Sequence, residues 1–168
     1  MKFFLIGLPG SGKTTLGKQV AKSLNIAFVD LDEAIEKSEK RKIAEIFKNS
    51  GEDYFRQIES KLVKLWANSP TDFLMSTGGG APCFFDNLKI MNDVGTTIFL
   101  DVPAMEIAKR ISASKNPERP LLKNTSDDVL KDQIEFLRTQ RKVFYKQAKV
   151  ILRGRDIRAT EILEKINS

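Results

Sequence analysis

A block of glycines that ends in a lysine and a threonine follows the first apolar run of the chain. Residues 7–14 read GLPGSGKT and match the pattern G-x-x-x-x-G-K-[ST] in full. Glycines let the backbone curl so that successive N–H groups point inward at phosphate oxygens, and a helix that starts there adds the positive end of its dipole. Lys13 then reaches the terminal phosphates of a nucleotide, and the Thr14 hydroxyl ligates Mg²⁺. The alternative, a glycine-rich turn with an unrelated lysine, leaves the apolar strand before the block and the helical pattern after it unexplained.

A nucleotide-binding loop of this kind occurs in several classes of protein, and other features of the chain exclude some of these classes. GTPase switches, ATPases and small-molecule kinases all share the loop. No guanine-reading Asn-Lys-x-Asp is present, and 168 residues leave no room for the accessory parts of a motor or a helicase. The chain has no histidine, which excludes a Ser-His-Asp triad, a histidine zinc site and a histidine general base. Acid–base chemistry therefore falls to Asp, Glu, Lys or Tyr.

Two carboxylates, Asp30 and Asp32, stand where the second predicted strand ends. Because strand side chains alternate, residues i and i+2 lie on one face, at the carboxyl edge where α/β sheets bind ligands. One carboxylate can sit near Mg²⁺, while the other accepts a hydrogen bond, and eventually a proton, from an acceptor hydroxyl. A helix N-cap followed by a solvated aspartate explains the spacing equally well.

An arginine–glutamate pair and a run of glycines form two further patterns. Arg56 and Glu59 are spaced i, i+3 and share a helix face. This spacing is typical of a surface ion pair. It is also typical of a guanidinium that binds a substrate carboxylate through two N–H groups while the glutamate orients it. Gly78, Gly79 and Gly80 follow the third predicted strand. Three successive glycines indicate either a close approach of main chain to a ligand or a plain turn.

Basic residues are concentrated in two later segments. Residues 109–125 carry five basic side chains, among them Arg110 and Arg119, against one acidic side chain. This composition fits a lid over nucleotide phosphates and fits a solvated basic loop equally well. Arg138 and Arg141 share a face of the next predicted helix, with Tyr145 one turn beyond. Taken alone, they indicate a solvated face rather than a substrate clamp.

Short apolar runs that alternate with helical patterns must position these residues. Five strands are predicted at Lys2–Ile6, 26–30, Phe73–Ser76, 97–101 and Val150–Arg153. Helices are predicted at 12–24, 32–39, 42–49, 51–67 with Ser50 as N-cap, 85–92, Ala104–Ala113, 127–147 and 158–166. Strands separated by helices favour a parallel sheet covered on both faces. We therefore predict an α/β fold of three layers, α/β/α.

Composition bounds the class of protein. The chain has 168 residues, of which 41% are hydrophobic and 30% charged, an ordinary balance for one globular domain. No apolar run approaches the roughly 20 residues of a membrane span, the N-terminal apolar stretch is too short for a signal peptide, and the single cysteine excludes an intrachain disulfide. We expect a cytoplasmic protein. The formal charge of +6 suits an anionic partner, whether phosphates, a carboxylate or nucleic acid.

Taken in order, these motifs resemble those of the shikimate kinases. The resemblance runs from about residue 3 to about residue 148. It rests on the glycine block, Phe28-x-Asp30-x-Asp32, Gly51-Glu52-x-x-Phe55-Arg56-x-x-Glu59, Gly78-Gly79-Gly80, Arg119-Pro120-Leu121-Leu122 and Arg141-x-x-x-Tyr145. It implies transfer of the ATP γ-phosphoryl group to the 3-hydroxyl of shikimate, a step of aromatic amino acid biosynthesis. It also implies a nucleoside-monophosphate-kinase-like fold, with a five-stranded parallel sheet in the order 2-3-1-4-5 and a basic lid.

The resemblance also implies a role for each matching residue. Lys13, Asp32 and Arg119 would be catalytic, with Asp32 as the candidate base. The ATP-binding residues would be Gly10, Ser11, Gly12, Lys13, Thr14, Thr15, Arg110 and Arg119. Thr14 would ligate Mg²⁺ directly, and Asp30 and Ser76 through water. Shikimate would contact Asp32, Arg56, Gly78, Gly79, Gly80 and Arg141. Glu59 would hold Arg56, and Phe47 and Phe55 would wall the pocket.

The expected organisation is a single kinase domain over residues 1–168. Its core would comprise 1–30, 72–108 and 126–168, with a shikimate-binding subregion at about 31–61 and a lid at about 110–125. The expected partners are shikimate, ATP and Mg²⁺, with no nucleic acid, no membrane and a monomeric chain. The alternatives are another small-molecule kinase, acting on gluconate or a nucleotide, and a non-catalytic nucleotide-binding or nucleic-acid-associated module.

Overall fold

The computed structural model describes residues 1–114 and 126–168. Five strands form one sheet: β1 (Lys2–Ile6), β2 (Ala27–Asp30), β3 (Phe73–Ser76), β4 (Thr96–Asp101) and β5 (Val150–Arg153). Their order is β2-β3-β1-β4-β5, and all four neighbouring pairs are parallel. The predicted fold class and strand order are confirmed.

Seven helices lie between or after the strands in the described part of the chain. They are α1 (Lys13–Leu24), α2 (Leu31–Glu39), α3 (Ile43–Ala67), α4 (Asn87–Val94), α5 (Ala104–Ala113), α6 (Asp127–Tyr145) and α7 (Ala159–Asn167). A short 3-10 turn, Ala81–Cys83, precedes α4. Within residues 1–114 and 126–168, no helix is both long enough and apolar enough to cross a membrane.

Two apolar cores cover the two faces of the sheet. Along β1, Phe3 and Leu5 join one core together with side chains of α1, α5, α6 and α7. Phe4, between them, joins the other core with side chains of α3 and α4. This alternation is what strand geometry requires. Burial on both faces also explains why β1 is an almost continuous apolar run.

The predicted break between the helices at 42–49 and 51–67 corresponds to a kink within α3 at Gly51, where φ is 83° and ψ is 170° and the backbone is not helical. Ser50, predicted as an N-cap, accepts a hydrogen bond from Arg41 Nη1 at 3.0 Å. The helix predicted at 85–92 begins two residues later, because Phe85 has a left-handed φ of 50°. The half of α3 that follows the kink carries Arg56 and Glu59.

Candidate active site

The glycine block forms a loop between β1 and α1. Gly12 precedes α1 with a left-handed φ of 95° and offers no side-chain cap to the first turn. No acidic residue lies in that turn, so its N–H groups are left for an anion. Lys13 Nζ donates to the carbonyls of Gly7 and Leu8, both at 2.9 Å. The lysine ammonium is thereby held inside the loop, where nucleotide phosphates would lie.

Hydroxyl and carboxylate oxygens meet beside this loop. Thr14 Oγ1 donates to Asp30 Oδ2 at 2.9 Å and lies 3.3 Å from Ser76 Oγ. The other oxygen of Asp30 accepts from the backbone N–H groups of Asp32 and Glu33, at 3.0 and 3.3 Å. Asp30 is therefore both the N-cap of α2 and a partner of Thr14; the N-cap interpretation is confirmed, and a place near Mg²⁺ stays a prediction.

These oxygens suit Mg²⁺ in kind and in number. Hard oxygen ligands are what Mg²⁺ prefers, and it usually keeps several waters and takes one or two carboxylates together with substrate phosphates. No cluster of three or more His, Cys, Asp or Glu side chains that could hold a metal occurs among the described residues. Thr14, Asp30 and Ser76 thus fit a magnesium ion that arrives with a nucleotide, and they would not form a complete cage without one.

Asp32 lines a cavity beside the phosphate loop and is only partly exposed to solvent. The cavity measures about 270 Å³ and is lined by residues of the loop, of the ends of β2 and β3 and of the glycine turn. Burial and the neighbouring Asp30 raise the pKa of Asp32, while the cations Lys13 and Arg56 act in the opposite direction. Asp32 is therefore partly buried, and its role at an acceptor hydroxyl stays a prediction. A carboxylate with a raised pKa beside the phosphate loop is suited to accept a proton from a hydroxyl.

Arg56 and Glu59 form a buried ion pair. Arg56 Nη1 donates to Glu59 Oε1 at 2.8 Å, and the Glu59 side chain is 0% exposed. Burial raises the pKa of Glu59, and Arg56 opposes that shift. The guanidinium carbon also lies 4.2 Å from the centre of the Phe84 ring, a contact that no sequence pattern had indicated. The surface ion pair predicted as one alternative is wrong, and the pair instead belongs to the pocket wall.

Functional side chains approach the glycine turn so closely that larger residues would displace them. A Cβ added at Gly80 would lie 2.5 Å from Arg56 Nη2, and one at Gly79 would lie 2.8 Å from Arg141 Nη1. A Cβ at Gly78 would lie 3.0 Å from Asp32 Oδ1. The run of glycines is therefore explained by the close approach of the protein's own side chains at a turn, and the predicted approach of a ligand stays a prediction. The turn brings two arginines and one carboxylate to the same short stretch of main chain.

Helix α6 supplies one of its two arginines to this site. Arg141 reaches Gly79, and one turn later the Tyr145 hydroxyl donates to Gly79 O at 2.6 Å. Burial raises the pKa of Tyr145, so the phenol stays a hydrogen-bond donor. Arg138 pairs with Asp101 at the end of β4, at 2.7 Å. Of the two arginines on one helix face, only Arg141 is brought to the glycine turn.

The remaining predicted residues occupy the rim of the site. The rings of Phe47 and Phe55 lie 4.7 Å apart, with Phe55 4% and Phe47 38% exposed. Arg110 donates to Gly10 O at 3.4 Å and to Arg155 O at 2.7 Å, which places it beside the phosphate loop. Arg119 and most of the predicted lid lie outside the described residues, whereas 110–113 belong to α5.

The sheet order and the loop after its central strand define a class. A phosphate-binding loop at the carboxyl edge of a parallel sheet, with the neighbouring strand ends carrying polar residues, is the arrangement of nucleotide-binding α/β proteins. The fold is that of the P-loop kinases, and a deoxyadenosine kinase from M. mycoides shares it with a TM-score of 0.62 at 20% identity. At that identity the likeness concerns the fold alone.

Sequence comparison gives the family. Residues 9–168 match the family model described as shikimate kinase. The shikimate kinase of Phocaeicola vulgatus is 42% identical over 156 residues, which cover 93% of this chain and 88% of that protein. The Bacteroides fragilis shikimate kinase is 44% identical over 151 residues, covering 90% and 83%. The chain belongs to the shikimate kinase family.

Solved structures agree with this assignment. A shikimate kinase from Bacteroides thetaiotaomicron superposes with a TM-score of 0.93 at 36% identity, covering 100% of this chain and 99% of that chain. A shikimate kinase from Acinetobacter baumannii, solved in complex with shikimate, gives a TM-score of 0.85 at 26% identity, covering 99% and 90%. The whole described fold is therefore that of the family.

Proposed function

We propose that this chain transfers the γ-phosphoryl group of ATP to the 3-hydroxyl of shikimate, giving 3-phosphoshikimate and ADP. The observation that carries the proposal is the meeting of Arg56 and Arg141 on the glycine turn, at Gly80 and Gly79. Two guanidinium groups close to one stretch of main chain suit a single planar carboxylate, because each can offer paired N–H donors. Family membership supplies the identity of that acid.

The hydroxyl end of the acceptor would lie at Asp32. This carboxylate lines the same cavity as Lys13 and Thr14, so a hydroxyl bound to it stands beside the phosphate loop. Its raised pKa favours acceptance of the proton that the hydroxyl loses on phosphorylation. Asp32 would also orient the oxygen for in-line attack, since phosphoryl transfer depends mainly on positioning and electrostatics.

Positive groups on the nucleotide side would balance the charge on the transferred phosphoryl. Lys13 and the N–H groups at the start of α1 are the described ones. When bound with the nucleotide at Thr14, Asp30 and Ser76, Mg²⁺ supplies further positive charge to the phosphate oxygens. Arg119 as the lid arginine and Arg110 beside the adenine remain predictions from the resemblance.

The proposed organisation follows the same resemblance. Residues 1–168 would form one kinase domain that acts as a monomer in the cytoplasm, without nucleic acid. The subregion at about 31–61 would bind shikimate, and its second half carries Arg56 and Glu59 beyond the kink at Gly51. Phe47 and Phe55 would wall the pocket, in keeping with their mutual contact.

A coupled assay tests the proposal directly. ADP release is measured with Mg²⁺ and ATP in the presence of shikimate, gluconate, a nucleoside monophosphate or no acceptor, and the product is identified by mass spectrometry. We expect ADP release that depends on shikimate, with one phosphate added to it. Turnover with another acceptor only would assign a different kinase activity. ATP binding without turnover of any acceptor would indicate a non-catalytic module.

A further inference from the structure

Arg56 contacts a second carboxylate besides that of Glu59. Glu52 lies one turn earlier on α3, and its Oε1 atom accepts from Arg56 Nε at 3.3 Å and from Nη2 at 3.4 Å. The two acids differ in environment, because the Glu52 side chain is 56% exposed and that of Glu59 is 0% exposed. Arg56 is thus held by a buried acid on one side and touched by a solvent-exposed acid on the other.

The contact with Glu52 is too weak to orient the guanidinium. A single oxygen straddles two N–H groups at long distance, and exposed ion pairs of this kind contribute little. The Glu59 hydrogen bond is short and buried, and the Phe84 ring covers a face of the guanidinium. Since Glu59 and Phe84 already fix its plane, Glu52 is not needed to position Arg56.

The edge that Glu52 touches is the one a carboxylate ligand would use. A guanidinium binds a carboxylate best through a parallel pair of N–H groups, such as Nε–H and Nη2–H. Nη1 is engaged by Glu59 through a short hydrogen bond, whereas Nε and Nη2 make only the long contacts with Glu52. The Nε–Nη2 edge is therefore the pair of donors left for a ligand carboxylate, and we call this edge the fork of Arg56. One oxygen of Glu52 occupies it.

We propose that Glu52 is an internal competitor for the carboxylate of the acceptor. In the empty site it occupies the fork of Arg56, and it must turn outward into water when the acid binds. This inference rests on the proposed function, which places the acid at Arg56. Binding is then an exchange of one carboxylate for another, so that Glu52 lowers the affinity for shikimate. Its charge beside the fork also repels the incoming acid.

Replacing Glu52 by glutamine tests this role, because the amide keeps the shape and removes the charge. Asp53→Asn is the matched control: it removes the same charge from the next, exposed position of α3. Shikimate is titrated calorimetrically into the full chain, and kinetics are measured with shikimate and ATP varied in turn. For Glu52→Gln we expect the shikimate Kd and KM to fall about two- to five-fold, the effect that loss of a weak exposed ion pair produces. The kcat value and the KM for ATP stay unchanged, and Asp53→Asn matches the wild type.

A neutral probe separates competition from a general change in the pocket. The methyl ester of shikimate has no carboxylate, so its affinity should be the same in the wild type and in Glu52→Gln. Weaker or unchanged shikimate binding in Glu52→Gln would overturn the inference, since Glu52 would then position Arg56 or do nothing. Equal tightening in Asp53→Asn, or tightening of the methyl ester, would also overturn it. If the wild type neither binds nor phosphorylates shikimate, it is the proposed function that has failed, and the inference falls with it.

Discussion

Replacing Gly80 by alanine should damage the acid-binding side of the pocket selectively. Gly80 has φ −87° and ψ −16°, which any residue adopts without strain, so the backbone itself tolerates the change. The added Cβ, however, would lie 2.5 Å from Nη2 and 2.7 Å from Nη1 of Arg56. Carbon and nitrogen atoms at ordinary contact are about 3.5 Å apart, so the guanidinium must retreat by roughly 1 Å.

The cost of that retreat follows from what holds Arg56. Its 2.8 Å bond to Glu59 is charge-assisted and buried, and such hydrogen bonds contribute about 1.5–3 kcal/mol. The other oxygen of this glutamate, Oε2, accepts no hydrogen bond from the described residues. Among those residues, no second hydrogen bond of Glu59 therefore offsets a loss of the bond from Arg56. If shikimate binding loses a similar amount, its KM should rise about 10- to 100-fold, because about 1.4 kcal/mol corresponds to tenfold.

Steady-state kinetics measure this effect. Shikimate is varied at saturating ATP and ATP at saturating shikimate, and thermal unfolding confirms that the variant is folded. The KM for ATP should stay near the wild-type value. The double variant with Arg56→Ala supplies the control, since without the guanidinium the added methyl group meets no obstacle. Gly80→Ala should then cost little beyond Arg56→Ala alone. Additive losses, or an unchanged KM for shikimate in Gly80→Ala, would refute the packing argument.

Three further predictions concern the nucleotide side, the glycine turn and the base. Lys13→Met should abolish ADP release with the fold intact, and a normal rate would remove the argument for the phosphate loop. Tyr145→Phe leaves the partly buried Gly79 carbonyl without its 2.6 Å donor, so the free energy of unfolding should fall by about 0.5–1.5 kcal/mol in denaturant titrations. Asp32→Asn should abolish transfer yet raise the Tm at pH 7.5. Because burial raises the pKa of Asp32 above 3.8, its charged form destabilises the native state, and the gain in Tm should shrink as the pH falls towards that value. A constant difference in Tm between pH 7.5 and pH 4 would contradict this account.

The strands and the phosphate loop could be predicted because local sequence determines them. The strands Lys2–Ile6, Phe73–Ser76 and Val150–Arg153 agree residue for residue with prediction. Parallel strands buried on both faces are short apolar runs bounded by turn residues, and such runs are recognisable in isolation. The loop motif likewise carries its own geometry, since its glycines and lysine act through main chain within a few residues.

The environment of Arg56 could not be predicted from spacing. An i, i+3 pair shows that two side chains share a helix face, but it does not show what covers that face. Here Phe84 and Gly80, which belong to a different loop, cover it. No pattern in the sequence distinguishes Phe84 from an ordinary core aromatic.

Arg138 and Arg141 illustrate the same limit on one helix. Their spacing places them on a common face, yet Arg138 pairs with Asp101 and Arg141 reaches Gly79. The difference arises because one arginine meets the end of β4 at Asp101 and the other meets the glycine turn. Only tertiary structure separates a residue that anchors the helix from one that faces the pocket.

The charges around the glycine turn explain why two arginines are present. Glu59 is fully buried, and both Arg56 and Arg141 lower its pKa against the opposing effect of burial. With Glu59 ionised beside Arg56, these three side chains carry one net positive charge, which a single carboxylate of a ligand neutralises. With one arginine fewer, the same ligand would leave a buried negative charge without a partner, and such charges are strongly destabilising. The second arginine therefore makes this group of three side chains and the ligand neutral, while Asp32 interacts with both Lys13 and Arg56.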